Sequence, residues 1–121
     1  MKDDRGSASV VVAAVMAALV TLAMGAADVA RVLGAAADAQ TAADAAALAA
    51  VQEQAIPSGL EPSDLAAEYS ARNGAELTAC ECDAGAFESL VSVRVPVGPL
   101  FLFPDDRVVV GEARAVVDLP T

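Results

Sequence analysis

The chain has 121 residues, which is enough for one domain and too few for two substantial ones. It carries 17 acidic and 7 basic residues, for a net charge of −10, and it contains neither His nor Trp. Such an acidic chain is poorly suited to nucleic acid or to adhesion by charge to an anionic lipid surface. Without His, the chain lacks the commonest general base and metal ligand, so we expect no enzyme, cofactor, metal site or nucleic-acid partner.

The first predicted element is a membrane-spanning helix. The run from Gly6 to Ala27 contains 22 residues and no charge. As a helix this run would be about 33 Å long, close to the roughly 30 Å hydrocarbon core of a bilayer, so residues 7–27 are predicted to span the membrane. Its small residues, among them Ala13, Ala17 and Gly25, predict close packing against a neighbouring helix. A span that faces lipid with no helical partner is the alternative.

The basic residues around this span predict its orientation. Lys2 and Arg5 precede it, and Arg31 is the only basic residue close behind it. Because basic residues favour the cytoplasmic side, residues 1–6 are predicted to be a short charged cytoplasmic leader. The rest of the chain would then be extracytoplasmic, in a single-pass protein of the cytoplasmic membrane, and the whole net charge would lie outside.

A cleaved secretory signal is a second interpretation of the same start. Residues 2–5 would be its charged region and residues 10–22 its apolar region, with cleavage near Gly25 or Ala26. The product would be a soluble, exported, acidic protein with a binding role. The acidic residues beside the bases of the charged region, and helical character that continues past the cleavage point, weaken this interpretation.

An alanine-rich extension follows over residues 28–56. Alanine has the highest helix propensity and no Pro occurs before Pro57, so one helix is predicted from about Ser7 to Gln54, roughly 70 Å long. Gly34 is the position at which it would bend. Its alanine face is expected to pack closely on the C-terminal domain or on other copies of the chain, through Ala43, Ala46 and Ala50.

Residues 57–121 are predicted to form a small extracytoplasmic domain that begins with a short helix. The segment 57–62 is rich in Pro and Gly and ends the long helix. Ser63 is then expected to cap a helix that ends at Asn73-Gly74. One face of that helix would consist of Leu65, Ala66, Tyr69 and Ala71.

Three strands are predicted after this helix. Residues 91–97 place Val at every second position, which is typical of a strand with one buried face. Residues 77–82 are expected to pair with it through a turn at residues 83–86, and a third strand is expected over residues 108–119. The prediction is an α+β fold, a long N-terminal helix followed by a small antiparallel sheet with a short helix. So small a domain would be stabilised by docking on the alanine-rich helix.

Two features of this domain have more than one interpretation. Cys80 and Cys82 are predicted to be two partly buried thiols, an intrachain disulfide favoured by an oxidising compartment, or cross-links between chains. The apolar segment 99–104, Pro-Leu-Phe-Leu-Phe-Pro, is expected to be a loop whose rings fill the core beside Phe87. Its alternative is an exposed contact surface for a partner or for lipid.

Two sequence blocks resemble a known family. They are Asp4-Arg5-Gly6-Ser7-Ala8-Ser9-Val10 before the apolar span, and Asp38-Ala-Gln40-Thr-Ala-Ala43-Asp44-Ala-Ala-Ala-Leu48-Ala-Ala50 after it. Together they resemble the TadE/TadG-like proteins of tight-adherence (Flp-type) pilus loci, in particular the short actinobacterial type. The resemblance implies an accessory, minor pilin-like or pseudopilin-like component of a pilus or secretion apparatus. The implied partners are the membrane, other pilin or secretion-system subunits, and a prepilin peptidase.

The resemblance also implies a processing site. Prepilins of this general type are cut after a glycine behind a short basic leader, and the matching residue is Gly6, with Ser7 as the first mature residue. Val11 stands where such pilins usually carry Glu, which favours an accessory subunit over a bulk pilin. A cell-surface filament is a further implied location.

Overall fold

The computed structural model describes residues 2–118 and 120, which form two helices and three strands. The elements are α1 Lys2–Ala55, α2 Pro62–Arg72, β1 Glu76–Glu81, β2 Glu88–Pro96 and β3 Val108–Val116. Met1 of the predicted leader, Leu119 at the predicted end of the third strand, and Thr121 lie outside the described residues. The fold class is α+β, as predicted.

The helix α1 is a single element of 54 residues, about 80 Å long. It begins at Lys2, before the predicted start, and ends at Ala55, one residue after the predicted end. Gly34 lies inside it without ending it. The high helix propensity of alanine, and the absence of Pro before Pro57, account for this length.

The three strands form one antiparallel sheet in the order β1-β2-β3. Val91 of β2 lies opposite Cys80 of β1 and Ala113 of β3. A bulge between Leu77 and Ala79 leaves Thr78 without a partner in the β1–β2 register. The predicted hairpin turn is present, because the N–H of Ala86 donates to the carbonyl of Asp83 at 3.1 Å.

The hydrophobic core lies between one face of the sheet and the C-terminal half of α1. Every second residue of β2 faces the helix, and Val91 and Val93 are fully buried. Across from them, α1 contributes small side chains, namely Ala35, Ala39, Ala42, Ala43, Ala46, Ala47 and Ala50. The alanine-rich extension and the C-terminal domain therefore share one core, because neither buries enough apolar surface alone.

Buried polar groups link the end of α1 to the β1–β2 hairpin. The Nε2 group of Gln54 donates to the carbonyls of Asp83 at 2.8 Å and Glu88 at 3.2 Å. The hydroxyl of Ser89 donates to the carbonyl of Ala47 at 2.7 Å. These hydrogen bonds fix the register of the helix on the sheet, since leaving such groups unpaired inside a core is costly.

The start of α2 differs from the prediction. Pro62, not Ser63, begins the helix, and Glu61 is its N-cap residue without a side-chain hydrogen bond. Pro is favoured at the first helical position because it has no N–H to leave unpaired and its φ is already helical. Gly74, with φ of 74°, follows the helix and takes the left-handed conformation, whereas Asn73 has φ of −99°.

The buried face of α2 also differs from the prediction. Pro62, Ala66 and Ser70 are buried, whereas Tyr69 and Ala71 are exposed and Leu65 is half-buried. The three buried residues follow one another at the i, i+4 spacing of a helix face. Ser70 belongs to that face because its hydroxyl donates to the carbonyl of Ala66 at 2.8 Å, which removes the cost of burying it.

Candidate functional site

The N-terminal half of α1 is an exposed apolar surface. We call residues 7–27 the anchor segment. Its large apolar side chains are 38–69% exposed, and they are Val10, Val11, Val12, Val15, Met16, Leu19, Val20, Leu22 and Met24. Among the described residues, α1 is the one helix long and apolar enough to cross a membrane. Exposing this much apolar surface to water is unfavourable, so the anchor segment requires lipid or other helices around it.

Five of the six residues predicted to pack closely fall into two groups. Ala13 and Ala17 are exposed, one helical turn apart on the same face of the anchor segment. Ala43, Ala46 and Ala50 are fully buried against the domain of the same chain. Two partners were predicted for these residues, the C-terminal domain and other copies of the chain. In the structure they pack against the C-terminal domain of their own chain. Only the first group remains free for another helix.

Gly25 is the last of these predicted packing residues and lies beside the apolar segment 99–104. We call that segment the aromatic loop. A Cβ atom at Gly25 would lie 3.5 Å from Cδ1 of Leu102, so the side chain of Leu102 lies against this turn of α1. The small size of Gly25 leaves room for the loop at the end of the anchor segment.

Asp28 holds the aromatic loop on α1. Only 3% of Asp28 is exposed, and its two carboxylate oxygens accept the N–H groups of Phe101 at 2.7 Å and Leu102 at 2.8 Å. Arg31, one turn further along α1, donates to the carbonyl of Pro99, and its guanidinium lies 4.8 Å from the ring centre of Phe101. These contacts tie the backbone of the loop to one stretch of the helix.

The expectation that the rings of the aromatic loop fill the core is wrong. Phe101 and Phe103 are 56% and 52% exposed, and Phe87 is also exposed. The cause is the close packing of alanine and valine, which brings α1 so near the sheet that no space for a ring remains between them. The structure therefore shows the exposure that the alternative requires, whereas a contact with a partner or with lipid stays a prediction.

A groove of about 260 Å³ lies between the loop and the helix. Its walls are mostly apolar and include Val29, Val32, Leu33, Leu100 and Phe103, with Asp28 and Arg107 as its charged residues. The guanidinium of Arg107 lies 5.1 Å from the ring centre of Phe103. The groove thus combines apolar walls with a few charged groups at the end of the anchor segment.

The predicted processing site lies near the other end of α1. Gly6 and Ser7 are consecutive exposed residues within the helix, and Val11 is exposed on the same element. No atom lies within 4 Å of the position that a Cβ of Gly6 would take. Cleavage between Gly6 and Ser7 remains a prediction.

The two cysteines lie at the end of β1, where the structure joins their sulfur atoms in a disulfide. Their Cα atoms are 5.3 Å apart, shorter than the spacing of about 6.6 Å expected for alternate residues of a regular strand. The strand ends at Glu81, so Cys82 is free of the extended geometry. Among the described residues, no group of three or more His, Cys, Asp or Glu side chains is placed to bind a metal ion.

Glu53 organises the connection that follows α1. Its carboxylate accepts the hydroxyl of Ser58 at 2.7 Å and the N–H groups of Ser58 at 2.6 Å and Leu60 at 3.0 Å. These donors, with the hydroxyl of Ser58 first among them, stabilise the ionised form and hold the pKa of Glu53 below its ordinary value of 4.5. This site is structural, because each donor belongs to the connection itself.

The local sequence pattern does not assign Asp28 to the aromatic loop. In the sequence it stands three residues before Arg31, the spacing of an ordinary helical ion pair. In the structure both residues bind the aromatic loop, more than 65 positions away. The available signal is the position of Asp28. It is the first charged residue after the long uncharged run, at the point where the apolar surroundings of the helix are predicted to end.

Comparison with known proteins gives one match. Residues 6–53 match the family model of Flp pilus-assembly TadE/G-like proteins (Tad), which confirms the resemblance over that part of the chain. The matched region contains the anchor segment and nearly all of the packed half of α1. No curated protein and no solved structure matches the chain.

Proposed function

We propose that this chain is an accessory, minor pilin-like or pseudopilin-like component of a tight-adherence (Flp-type) pilus or secretion apparatus. The observation that carries the proposal is the coincidence of the family match over residues 6–53 with the exposed anchor segment. The chain would act by helix packing and protein–protein interaction. Its polypeptide would need no catalytic group for that role.

Membrane anchoring is the physical basis of this role. The anchor segment is apolar, and its residues 7–24 are exposed around the whole circumference, as expected of a helix surrounded by lipid or by other helices. With Lys2 and Arg5 on the cytoplasmic side, the domain would be extracytoplasmic. The chain would then be a single-pass protein of the cytoplasmic membrane whose domain faces other subunits outside.

Processing by a prepilin peptidase is the second part of the proposal. A cut between Gly6 and Ser7 would remove Lys2 and Arg5 while leaving the anchor segment complete. Because those two charges oppose movement of the helix out of the bilayer, their removal would allow the helix to enter an assembly. The exposed Ala13 and Ala17 would then be available to neighbouring helices.

The soluble exported protein is the less favoured function. Cleavage near Gly25 or Ala26 would discard the anchor segment, which lies within the region of the family match. It would also remove the turn at Gly25 against which Leu102 lies. Both observations support retention of the anchor segment.

Photo-cross-linking in the native cell envelope tests the proposed function. A photoreactive residue at Ala13 or Ala17 of the full chain is expected to give adducts with pilus or secretion-system subunits, or with a second copy of this chain. The same residue at Ala37, an exposed alanine of α1 outside the anchor segment, is the control for capture of abundant proteins. If Ala13 and Ala17 both gave adducts with lipid alone, the segment would be an anchor without helix partners, which would contradict the proposal.

A further inference from the structure

The aromatic loop lies at the depth of the last turn of the anchor segment. Leu102 lies against Gly25, which belongs to the anchor segment, and Asp28 binds the loop backbone one turn further along α1. One helical turn rises about 5.4 Å. Any layer that surrounds α1 at Gly25 must therefore also surround the tip of the loop.

The exposed side chains of the loop continue the apolar surface of the helix. Phe101, Leu102 and Phe103 are between 43% and 56% exposed, and beside them Val29 and Leu33 of α1 are more than half exposed. This surface begins where the anchor segment ends. It is an extension of the proposed lipid-facing surface rather than a separate patch.

The polar groups of the loop are arranged as a membrane interface requires. The N–H groups of Phe101 and Leu102 are already paired with Asp28, so inserting the loop tip leaves neither amide unpaired. The guanidinium groups of Arg31 and Arg107 lie beside the two rings, where such groups pair with lipid phosphates while aromatic rings occupy the headgroup layer. Exposed Asp105 and Asp106 follow directly and oppose deeper insertion.

We propose that the aromatic loop is a second membrane contact of this protein. Phe101, Leu102 and Phe103 insert into the interfacial layer of the extracytoplasmic leaflet, with Arg31 and Arg107 at the lipid phosphates. The inference rests on the proposed anchoring of residues 7–27. Two contacts, a spanning helix and a loop beside it, would fix how the domain is oriented on the bilayer, which a single helix would leave free to rotate. Insertion of apolar side chains, and not net charge, provides the attraction, which is compatible with a chain of charge −10.

Tryptophan fluorescence tests this contact, because the chain contains no Trp and a single introduced one is unambiguous. The full-length variants Phe101→Trp and Phe103→Trp, which keep an aromatic ring, are reconstituted in vesicles of phosphatidylcholine and phosphatidylglycerol. Tyr69→Trp is the matched control, since Tyr69 is partly exposed on α2 beside Ala49 of α1, about 30 Å along the helix from Asp28. Spin-labelled lipids quench any Trp that lies near their label.

The expected result is a blue-shifted emission from Trp at positions 101 and 103, with stronger quenching by a label near the headgroup than by one near the end of the acyl chain. That order follows from an insertion depth of about 5–10 Å. Trp at position 69 should show neither effect. Vesicle flotation of the same samples reports anchoring separately.

Two outcomes would overturn the inference. If the variants float with the vesicles but lipid labels quench positions 101 and 103 no more than position 69, the loop does not touch lipid while the anchor stands. A blue shift without lipid quenching belongs to this first outcome and indicates a protein neighbour at the loop. If the variants do not float, the anchoring itself fails and the inference fails with it.

Discussion

Gly111 lies where the backbone of β3 meets the backbone of α1. A Cβ atom at this position would stand 2.4 Å from the carbonyl oxygen of Ala39, closer than any side-chain carbon can lie. From the sequence alone, a Gly inside a predicted strand indicates only a weaker strand. In the structure it permits the close approach on which the alanine–valine core depends.

Gly111→Ala is expected to lower the free energy of unfolding by about 1–3 kcal/mol, because helix and sheet must separate to admit the methyl group. Gly34→Ala is the matched control, since nothing lies within 4 Å of its added Cβ. Within an exposed stretch of helix that change should stabilise the protein by about 0.5–1 kcal/mol. Urea unfolding in detergent, followed by the fluorescence of the single Tyr, measures both; equal effects would contradict the assigned role of Gly111.

Glu53 makes the connection between α1 and α2 sensitive to acid. Its pKa is lowered in the folded protein, so its contribution to stability is complete above its ordinary value of 4.5 and is lost as the pH falls through the folded pKa. Below pH 4.5 the wild-type protein should therefore lose more stability than Glu53→Gln. Unfolding measured between neutral and acid pH tests this, with Glu61→Gln as the control, an exposed carboxylate of the same connection. Parallel pH profiles for wild type and Glu53→Gln would refute the role of Glu53.

At the scale of elements, α1 is one helix with two surroundings. Its N-terminal half is exposed and apolar, whereas its C-terminal half is packed against the sheet through alanine. The boundary lies near Asp28, a buried carboxylate that binds the aromatic loop. Because α1 is one continuous helix, a rotation or tilt of the domain would also rotate or tilt the anchor segment.

The β1–β2 hairpin supplies a test of the cysteines. Cα atoms 5.3 Å apart lie within the usual range for a disulfide, and an extracytoplasmic compartment is oxidising. Thiol labelling of the unfolded but unreduced protein should therefore find no free thiol at Cys80 or Cys82. Reduction before labelling is the control and should give two labelled residues per chain. Two labelled cysteines without reduction would show that the thiols are free.

At the scale of the whole molecule, the N-terminus decides among three forms of the protein. The proposed function predicts a mature chain that begins at Ser7 and keeps the anchor segment. A chain that begins at Met1 or Lys2 would be a permanent membrane anchor, held by its leader charges. A chain that begins near Ala26 would be soluble and would contradict both the anchor and the loop contact.

Intact-mass measurement of the protein purified from its native envelope distinguishes these forms. We expect loss of residues 1–6 from the wild-type chain. The variant Gly6→Val should keep the leader, because a branched side chain replaces the glycine that the resemblance assigns to the cut. Gly34→Ala should be processed like the wild type. Identical processing of Gly6→Val and wild type would remove Gly6 from the proposed site.

The sequence by itself determined the elements that depend on local periodicity. Alanine propensity without Pro predicts α1, alternate valines predict β2, and a long uncharged run predicts the anchor segment. The tertiary structure alone decided which small residues stay exposed, since Ala17 and Ala43 have the same local character. It also placed the aromatic loop on Asp28, over 70 residues away. Local patterns encode elements because helices and strands have fixed periods, whereas long-range partners depend on how closely all the elements pack.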